Sequence, residues 1–229
     1  RVYENIAGEK SSLGRGNLSF TTMNMPRLAI EARIKAESME ESGKKEAIER
    51  TAKELFIQSV HQTAELIAEQ LYSRYQYQRT ALARQFPFMM GNDVWKGGGK
   101  LAPNDQVGDV LRQGTLGIGF IGGHNAMMAL YGESHGHSRK AWDTLYEAVL
   151  EMNKVADDYK AKYQLNFSVL ATPAEGLSGR FTRMDRRKYG TIPGVTDNDY
   201  YVNSFHVDVK ESITIVDKIK REAPFHAIT

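Results

Sequence analysis

The sequence predicts an α/β fold built on a mostly parallel sheet. Segments with strand periodicity are each followed by a segment with helical periodicity, about four times over, which is the order of a parallel sheet with crossover helices. Gly114–Gly123 reads as a buried strand punctuated by glycine, the residue that permits close backbone approach. Two long amphipathic stretches supply the apolar faces that such a sheet needs to cover it. The 229 residues fit one domain with a sizeable core.

In chain order, Arg1-Val-Tyr3 is strand-like and Gly8–Gly16 is a polar loop rich in Gly, Ser and Lys. Leu18, Phe20 and Thr22 then alternate with Ser19, Thr21 and Met23, the period of two that makes a strand. Pro26 suits a first helical position and opens a helix over Arg27–Glu37. From Lys44 to Gln85, apolar residues such as Ala52, Phe56, Val60, Ala64, Ile67, Leu71 and Tyr75 recur at three- and four-residue spacing with no Pro or Gly between. That predicts one helix of about 40 residues, against a mean of about 11 to 12. A helix of that length runs along the outside of a large fold in the favoured reading, or forms part of a subunit interface. Phe86–Pro103 reads as a loop around Gly97-Gly-Gly99. Asn125–Tyr131 is helical, and Ser138–Tyr163 is a second amphipathic helix with Ser138 as its N-cap. Asn166–Ala171 is a strand that runs into Thr172-Pro-Ala-Glu-Gly176, where a helix carrying Leu177 and Phe181 opens. Tyr200–Val209 reads as a strand and Ile213–Arg221 as a helix.

Composition removes several classes of function. With 41% hydrophobic and 25% charged residues the chain is neither disordered nor a collagen-like repeat. Lys plus Arg (30) nearly balance Asp plus Glu (28), so no electrostatic case exists for a nucleic-acid or membrane-surface partner. No apolar run reaches the roughly 18 to 20 residues that span a bilayer, and no signal-peptide pattern opens the chain, so the cytoplasm is the expected location. Zero Cys excludes disulfides, thiolate metal sites and a cysteine nucleophile within these residues. The chain opens at Arg1 without Met and closes at Thr229 without polar fraying. Both ends suggest an internal piece of a longer polypeptide.

The turn Ala171–Ser178 is the strongest local candidate for chemistry. Ligands of parallel α/β folds bind at the carboxyl ends of strands. Pro173 in the first helical turn would leave the backbone N–H groups of Ala174, Glu175 and Gly176 pointing outward, with the hydroxyls of Thr172 and Ser178 as further donors for an anion. A capped helix start, with Glu175 complementing the dipole, explains the same residues equally well. Asn203, Ser204 and His206 are an unusually polar set for a buried strand and suit a polar cavity. Asn17 and Asn24 bracket the first strand, and Asn24 is either a turn residue before Pro26 or a side chain facing the same cavity. His135 and His137, near Glu133, make a close pair without further ligands, so a solvated loop is expected there rather than zinc. The basic run Arg180–Lys188, broken by Asp185, reads as a solvated helix face.

Four segments together resemble class III anaerobic ribonucleoside-triphosphate reductases. They are Gly14–Ala29, Gly114–Gly122, Leu170–Phe181 and Asp199–His206, in the family's order and spanning nearly the whole chain. The resemblance implies an oxygen-sensitive glycyl-radical enzyme that reduces the ribose 2′-hydroxyl of ribonucleoside triphosphates. It implies a ten-stranded α/β barrel with long flanking helices, of which residues 1–229 would be a part. It implies a substrate-phosphate loop over Thr172, Ala174, Glu175, Gly176, Leu177 and Ser178. It also implies catalytic candidates in Asn17 and Asn24, either of which could hydrogen-bond the ribose, and in Asn203, Ser204 and His206 of an Asn-Ser-Phe-His motif with no assigned role. One stretch departs from the pattern: Gly122-Gly-His-Asn125 stands where the family is Gly-Leu-Ala-Glu-like, which leaves His124 and Asn125 as weak site candidates. The radical Cys would lie just before Arg1, the glycyl-radical loop and a Cys-rich structural zinc site beyond Thr229, and the allosteric nucleotide sites before Arg1. No cofactor is expected within these residues. Implied partners are an iron–sulfur, S-adenosylmethionine-dependent activating enzyme, allosteric nucleotides and a second copy in a homodimer. Two other readings stay open: a self-standing sugar-phosphate lyase or isomerase using Glu175 and His206 as acid and base, and a non-catalytic split-gene remnant.

Overall fold

The computed structural model of the chain describes residues 14, 16–40 and 44–229. The strand-like Arg1–Tyr3 and most of the Gly8–Gly16 loop therefore lie outside the described residues. The elements run β1 (Asn17–Asn24), α1 (Met25–Met39), α2 (Lys45–Gln78), the short helices α3 (Pro87–Gly91) and α4 (Gly108–Leu111), and β2 (Thr115–Ile121). There follow α5 (Gly123–Tyr131), α6 (Arg139–Tyr163), β3 (Asn166–Ala171), α7 (Glu175–Tyr189) and α8 (Ile215–His226). The three strands form one parallel sheet in the order β1-β2-β3, and each feeds a helix within four residues of its carboxyl end. The expected α/β class holds.

Register assigns the two faces of the sheet. Thr21, Met23, Ile118, Phe120 and Val169 share the face that packs under α2 and α6. The other face carries Phe20, Thr22, Gly117, Gly119 and Leu170, and it is open, with Phe20 51% exposed. The glycines of β2 have a packing reason. A Cβ at Gly119 would sit 2.3 Å from Thr172 Oγ1, and one at Gly117 would sit 3.1 Å from Phe20 Cβ. Side chains of β1 and β3 thus lean across a bare middle strand, and Thr22 Oγ1 lies 3.3 Å from Thr172 Oγ1.

α1 begins where Asn24 Oδ1 accepts a hydrogen bond from the Arg27 amide (3.2 Å), with Pro26 in the first turn. α2 buries Ala52, Phe56, Val60, Ala64 and Leu71 completely, so its long apolar stripe packs against α1, α6 and the sheet. It stops at Gln78, seven residues short of the periodic pattern's end at Gln85. Beyond Gln78 the backbone exchanges helical bonds for bonds to a later loop. The amides of Ala83 and Arg84 donate to the carbonyls of Asp105 and Pro103, and Val107 donates to Ala81, each at 2.9 Å. The predicted loop after Phe86 holds α3 and a 3₁₀ turn at Gly98–Lys100. α6 starts as expected, with Ser138 Oγ accepting from the Ala141 amide.

The expected strand Tyr200–Val209 is an irregular segment instead. Its carbonyls are used to cap α5: Gly122 donates to Val202 O and Gly123 to Ser204 O, both at 2.8 Å. Asn125 Oδ1 accepts from the Val202 amide at 2.8 Å. Ser204 adopts a left-handed φ of 40°, which no strand tolerates. Gly122 at φ 77° makes the close approach between this segment and α1, since a Cβ there would lie 2.3 Å from Pro26 Cγ.

Candidate functional site

The three carboxyl ends of the strands meet three walls: the β1–α1 turn, the β3–α7 turn, and the Tyr200–Val209 segment that crosses the end of β2. Between the last two lies a cavity of about 340 Å³ lined by Glu175, Ser178, Tyr200, Asn203, His206 and Lys218, among others. Two sequence motifs separated by 25 residues, from Ser178 to Asn203, therefore share one cavity.

The first wall is the start of α7. The helix opens at Glu175 with Ala174 as N-cap, so Pro173 stands just before the helix rather than inside its first turn. No side chain caps this end. The Glu175 amide is taken by Pro173 O at 2.9 Å, a correction to the expectation that it points free. The amides of Gly176 and Leu177 have no intrahelical acceptor, and nothing lies within 4 Å of a Cβ built at Gly176. Ser178 Oγ donates back to Glu175 O at 2.7 Å, and Thr172 Oγ1 sits with Thr22 above Gly119. Thr172, Ala174 and Ser178 are buried, while Glu175 and Gly176 are exposed. The open part of this turn is thus Glu175–Leu177, with the two hydroxyls engaged inside the protein.

On the second wall Asn203 is exposed and His206 half-buried, while Ser204 is buried and serves the α5 cap through its carbonyl. His206 Nδ1 lies 3.1 Å from Glu222 Oε2, and Glu222 Oε1 accepts from the Val207 amide at 2.9 Å. One carboxylate of α8 thereby fixes both ring and backbone. Lys218, one turn earlier on α8, donates to Val207 O at 3.2 Å and brings a cation to the rim. The expected solvated loop at His135 is corrected: that ring is fully buried, donating from Nε2 to Phe205 O at 2.8 Å. Burial depresses its pKa to about 4, so the ring is neutral. His124 is also buried and lowered by desolvation, while His137 pairs with Glu211 at 3.0 Å. Among the described residues no group of three or more His, Asp or Glu could hold a metal ion. Asn125 is a brace, holding Val202 with its carbonyl and Gly194 O with its amide.

Asn24 and Asn17 part company. Asn24 lies at the carboxyl end of β1, but its side chain is committed: Oδ1 caps α1 and Nδ2 donates to Asp185 Oδ2 at 2.8 Å. Asn17 is exposed at the opposite end of the same strand, roughly 23 Å away along an extended chain. The structure brings Glu175, Ser178, Asn203 and His206 to one cavity, sets Asn24 behind it, and leaves Asn17 apart. Sequence reasoning missed Lys218 and Tyr200 on the lining, because helical spacing and an aromatic pair say nothing of direction. It also passed over Asp185, which is fully buried. The basic run around Asp185 is otherwise solvated except Arg186, whose guanidinium holds the carbonyls of Thr196 and Asn198.

A parallel α/β sheet with its crevice at the strand carboxyl ends, faced by an uncapped helix start, places the chain in the class of α/β folds whose site lies at the strand ends. The family described as anaerobic ribonucleoside-triphosphate reductase matches residues 1–229, and the chain belongs to that family. It is 31% identical over 227 residues to the anaerobic ribonucleoside-triphosphate reductase of Salmonella typhimurium, covering 98% of this chain and 29% of that protein. It is 30% identical over 229 residues to that of Enterobacteria phage T4, covering 99% of this chain and 34% of that protein. The fold matches the anaerobic ribonucleotide reductase of Thermotoga maritima in complex with dATP and CTP with a TM-score of 0.70 at 15% identity, over 99% of this chain and 33% of that one. The chain thus spans about a third of the length of the relatives it matches, and its sheet and helices are part of a larger α/β fold.

Proposed function

We propose that this chain forms one side of the substrate pocket of an enzyme that reduces ribonucleoside triphosphates to deoxyribonucleoside triphosphates anaerobically, for DNA synthesis. The observation that carries the reading is the open amino end of α7, which shares a 340 Å³ cavity with Asn203 and His206. In this reading the amides of Gly176 and Leu177 and the helix dipole take the substrate phosphates, in the loop Thr172–Ser178. Asn203 and His206 face the sugar, with Ser204 and Asn24 holding the wall behind them; Asn17 serves a separate position at the far end of β1. Lys218 adds positive charge at the cavity rim. Family membership favours this reading over a self-standing lyase or isomerase.

With no Cys among 229 residues, this chain supplies neither a thiyl radical nor a thiolate zinc site. In this reading a glycyl radical elsewhere in the enzyme, installed by an iron–sulfur, S-adenosylmethionine-dependent activase, would supply the radical chemistry. The contribution of these residues is to bind, orient and shield the nucleotide, so that its ribose is held in one place. Allosteric nucleotides, a structural zinc, homodimer formation and a cytoplasmic location complete the proposal. No described helix is long and apolar enough to cross a membrane.

The test is Gly176→Asp in the full-length reductase polypeptide that carries this chain. The site has room for the side chain, and an acidic residue in a first helical turn favours the helix, so folding is retained. A carboxylate where phosphate should sit is expected to weaken ribonucleoside triphosphate binding about tenfold or more, which is about 1.4 kcal/mol. Calorimetric affinity unchanged from wild type would sink the phosphate assignment.

A further inference from the structure

One buried carboxylate joins the walls of the pocket. Asp185 lies on α7, nine residues or about 13 Å beyond Gly176 along the helix axis. Its Oδ1 accepts from Arg27 Nε at 2.7 Å and Nη2 at 2.6 Å. Its Oδ2 accepts from Asn24 Nδ2 at 2.8 Å and from the Tyr201 hydroxyl at 2.9 Å. These donors come from the end of β1, the first turn of α1 and the segment that carries Asn203 two residues later. The other buried polar residues of α7 make no hydrogen bond outside the helix. They are Ser178 and Thr182, whose hydroxyls donate to Glu175 O and Ser178 O. Arg186 grips only the loop that leaves the helix. Asp185 is therefore the buried polar tether between α7 and the end of β1. At the last turn of the helix Lys188 and Tyr189 bond Glu31 of α1, and Phe181 and Tyr189 pack on Ile30, Val195 and Tyr201. With four donors on the two oxygens of the fully buried Asp185 carboxylate, its geometry is fixed.

We infer that Asp185 is a positioning residue, which holds the phosphate-facing end of α7 in register with the Asn203–His206 wall. A nucleotide touches both walls at once, so their relative placement decides whether its phosphates and its sugar can be held together. An inorganic triphosphate touches only α7. The inference rests on the reading that α7 takes the substrate phosphates.

The experiment compares these two probes in the full-length reductase, with Asp185→Asn and Tyr201→Phe. Asp185→Asn removes a buried charge beneath Arg27 and risks the fold. Tyr201→Phe removes one donor of four and keeps the ring, so it carries the test if the first variant does not fold. The expected result is a KM for ribonucleoside triphosphate raised about fivefold, the scale of one buried hydrogen bond. The competitive inhibition constant of inorganic tripolyphosphate stays within about twofold, as for an independent site. Equal weakening of both probes would show general loosening and overturn the inference, as would no change in either with Tyr201→Phe. Failure of tripolyphosphate to compete in the unmodified enzyme is a different result: it removes the phosphate reading, and the inference with it.

Discussion

His135 shows how far one side chain's surroundings depart from its local sequence. Flanked by Ser134 and Gly136, it looks like a loop residue in water, yet the ring is fully buried with Nε2 on Phe205 O and edges toward Phe225. Nothing in a Ser-His-Gly tripeptide signals a ring placed beneath a segment 70 residues later. The consequence is a pH dependence with a definite sign. The folded ring has a pKa near 4, below the ordinary value of 6.5, so the unfolded chain binds the proton more tightly. Stability from this group is complete above pH 6.5 and is lost as pH falls toward 4, by up to about 1.4 kcal/mol per pH unit. Thermal melting of wild type and His135→Gln across pH 4 to 7 checks this, and the variant should show the shallower slope. Asn24 is the opposite case. Its place before Pro26 already suggested a helix start, and its side chain does cap α1. Only the bond to Asp185, 161 residues away, lay beyond local reading.

Among the elements, strands bounded by glycine or by a strong turn were legible, and segments shaped by distant backbone were not. Asn166–Ala171 is a strand over the residues that its composition predicts, because Pro173 stops it and helix periodicity resumes. α2 overshoots in sequence, since no Pro or Gly marks Gln78; its end is imposed by the loop at Pro103–Val107. Tyr200–Val209 has strand composition but no free strand edge to join, and instead satisfies the amino end of α5. The reading of β2 as a strand crowded by its neighbours leads to a prediction. Gly119→Ala would drive a methyl to 2.3 Å from Thr172 Oγ1, with Thr22 Oγ1 at 3.1 Å and Thr21 O at 3.2 Å, so the Thr172 side chain must move and β1 must give by a few tenths of an ångström. A loss of about 1 to 3 kcal/mol is expected by chemical denaturation, the range for overpacking. Gly176→Ala, in open space, is the control, expected within about 1 kcal/mol of wild type.

At the scale of the whole molecule, the sheet holds three strands and pairs each outer strand on one side only among the described residues. β1 and β3 therefore each present an unpaired edge beside an open face on which Phe20 is 51% exposed. Such edges and patches associate. The 229-residue chain by itself is expected to self-associate with rising concentration in sedimentation velocity, and Phe20→Lys to reduce it. A monomer at all concentrations for the unmodified chain would show that the edges are protected. The architecture beyond these strands was legible only through family resemblance, since three strands do not announce how many more complete the sheet. One property of α7 extends beyond binding. Its buried residues are Ser178, Thr182 and Asp185, whereas α6 buries nine residues, seven of them apolar aliphatic or sulfur-bearing. Detaching α7 would uncover the small cluster of Phe181, Tyr189, Ile30, Val195 and Tyr201 and leave the main apolar layer covered. Its opening therefore carries a smaller heat-capacity change and a weaker dependence on urea than the loss of α6 would. α7 can then loosen as its own unit, while the apolar layer of α2, α6 and the sheet stays closed.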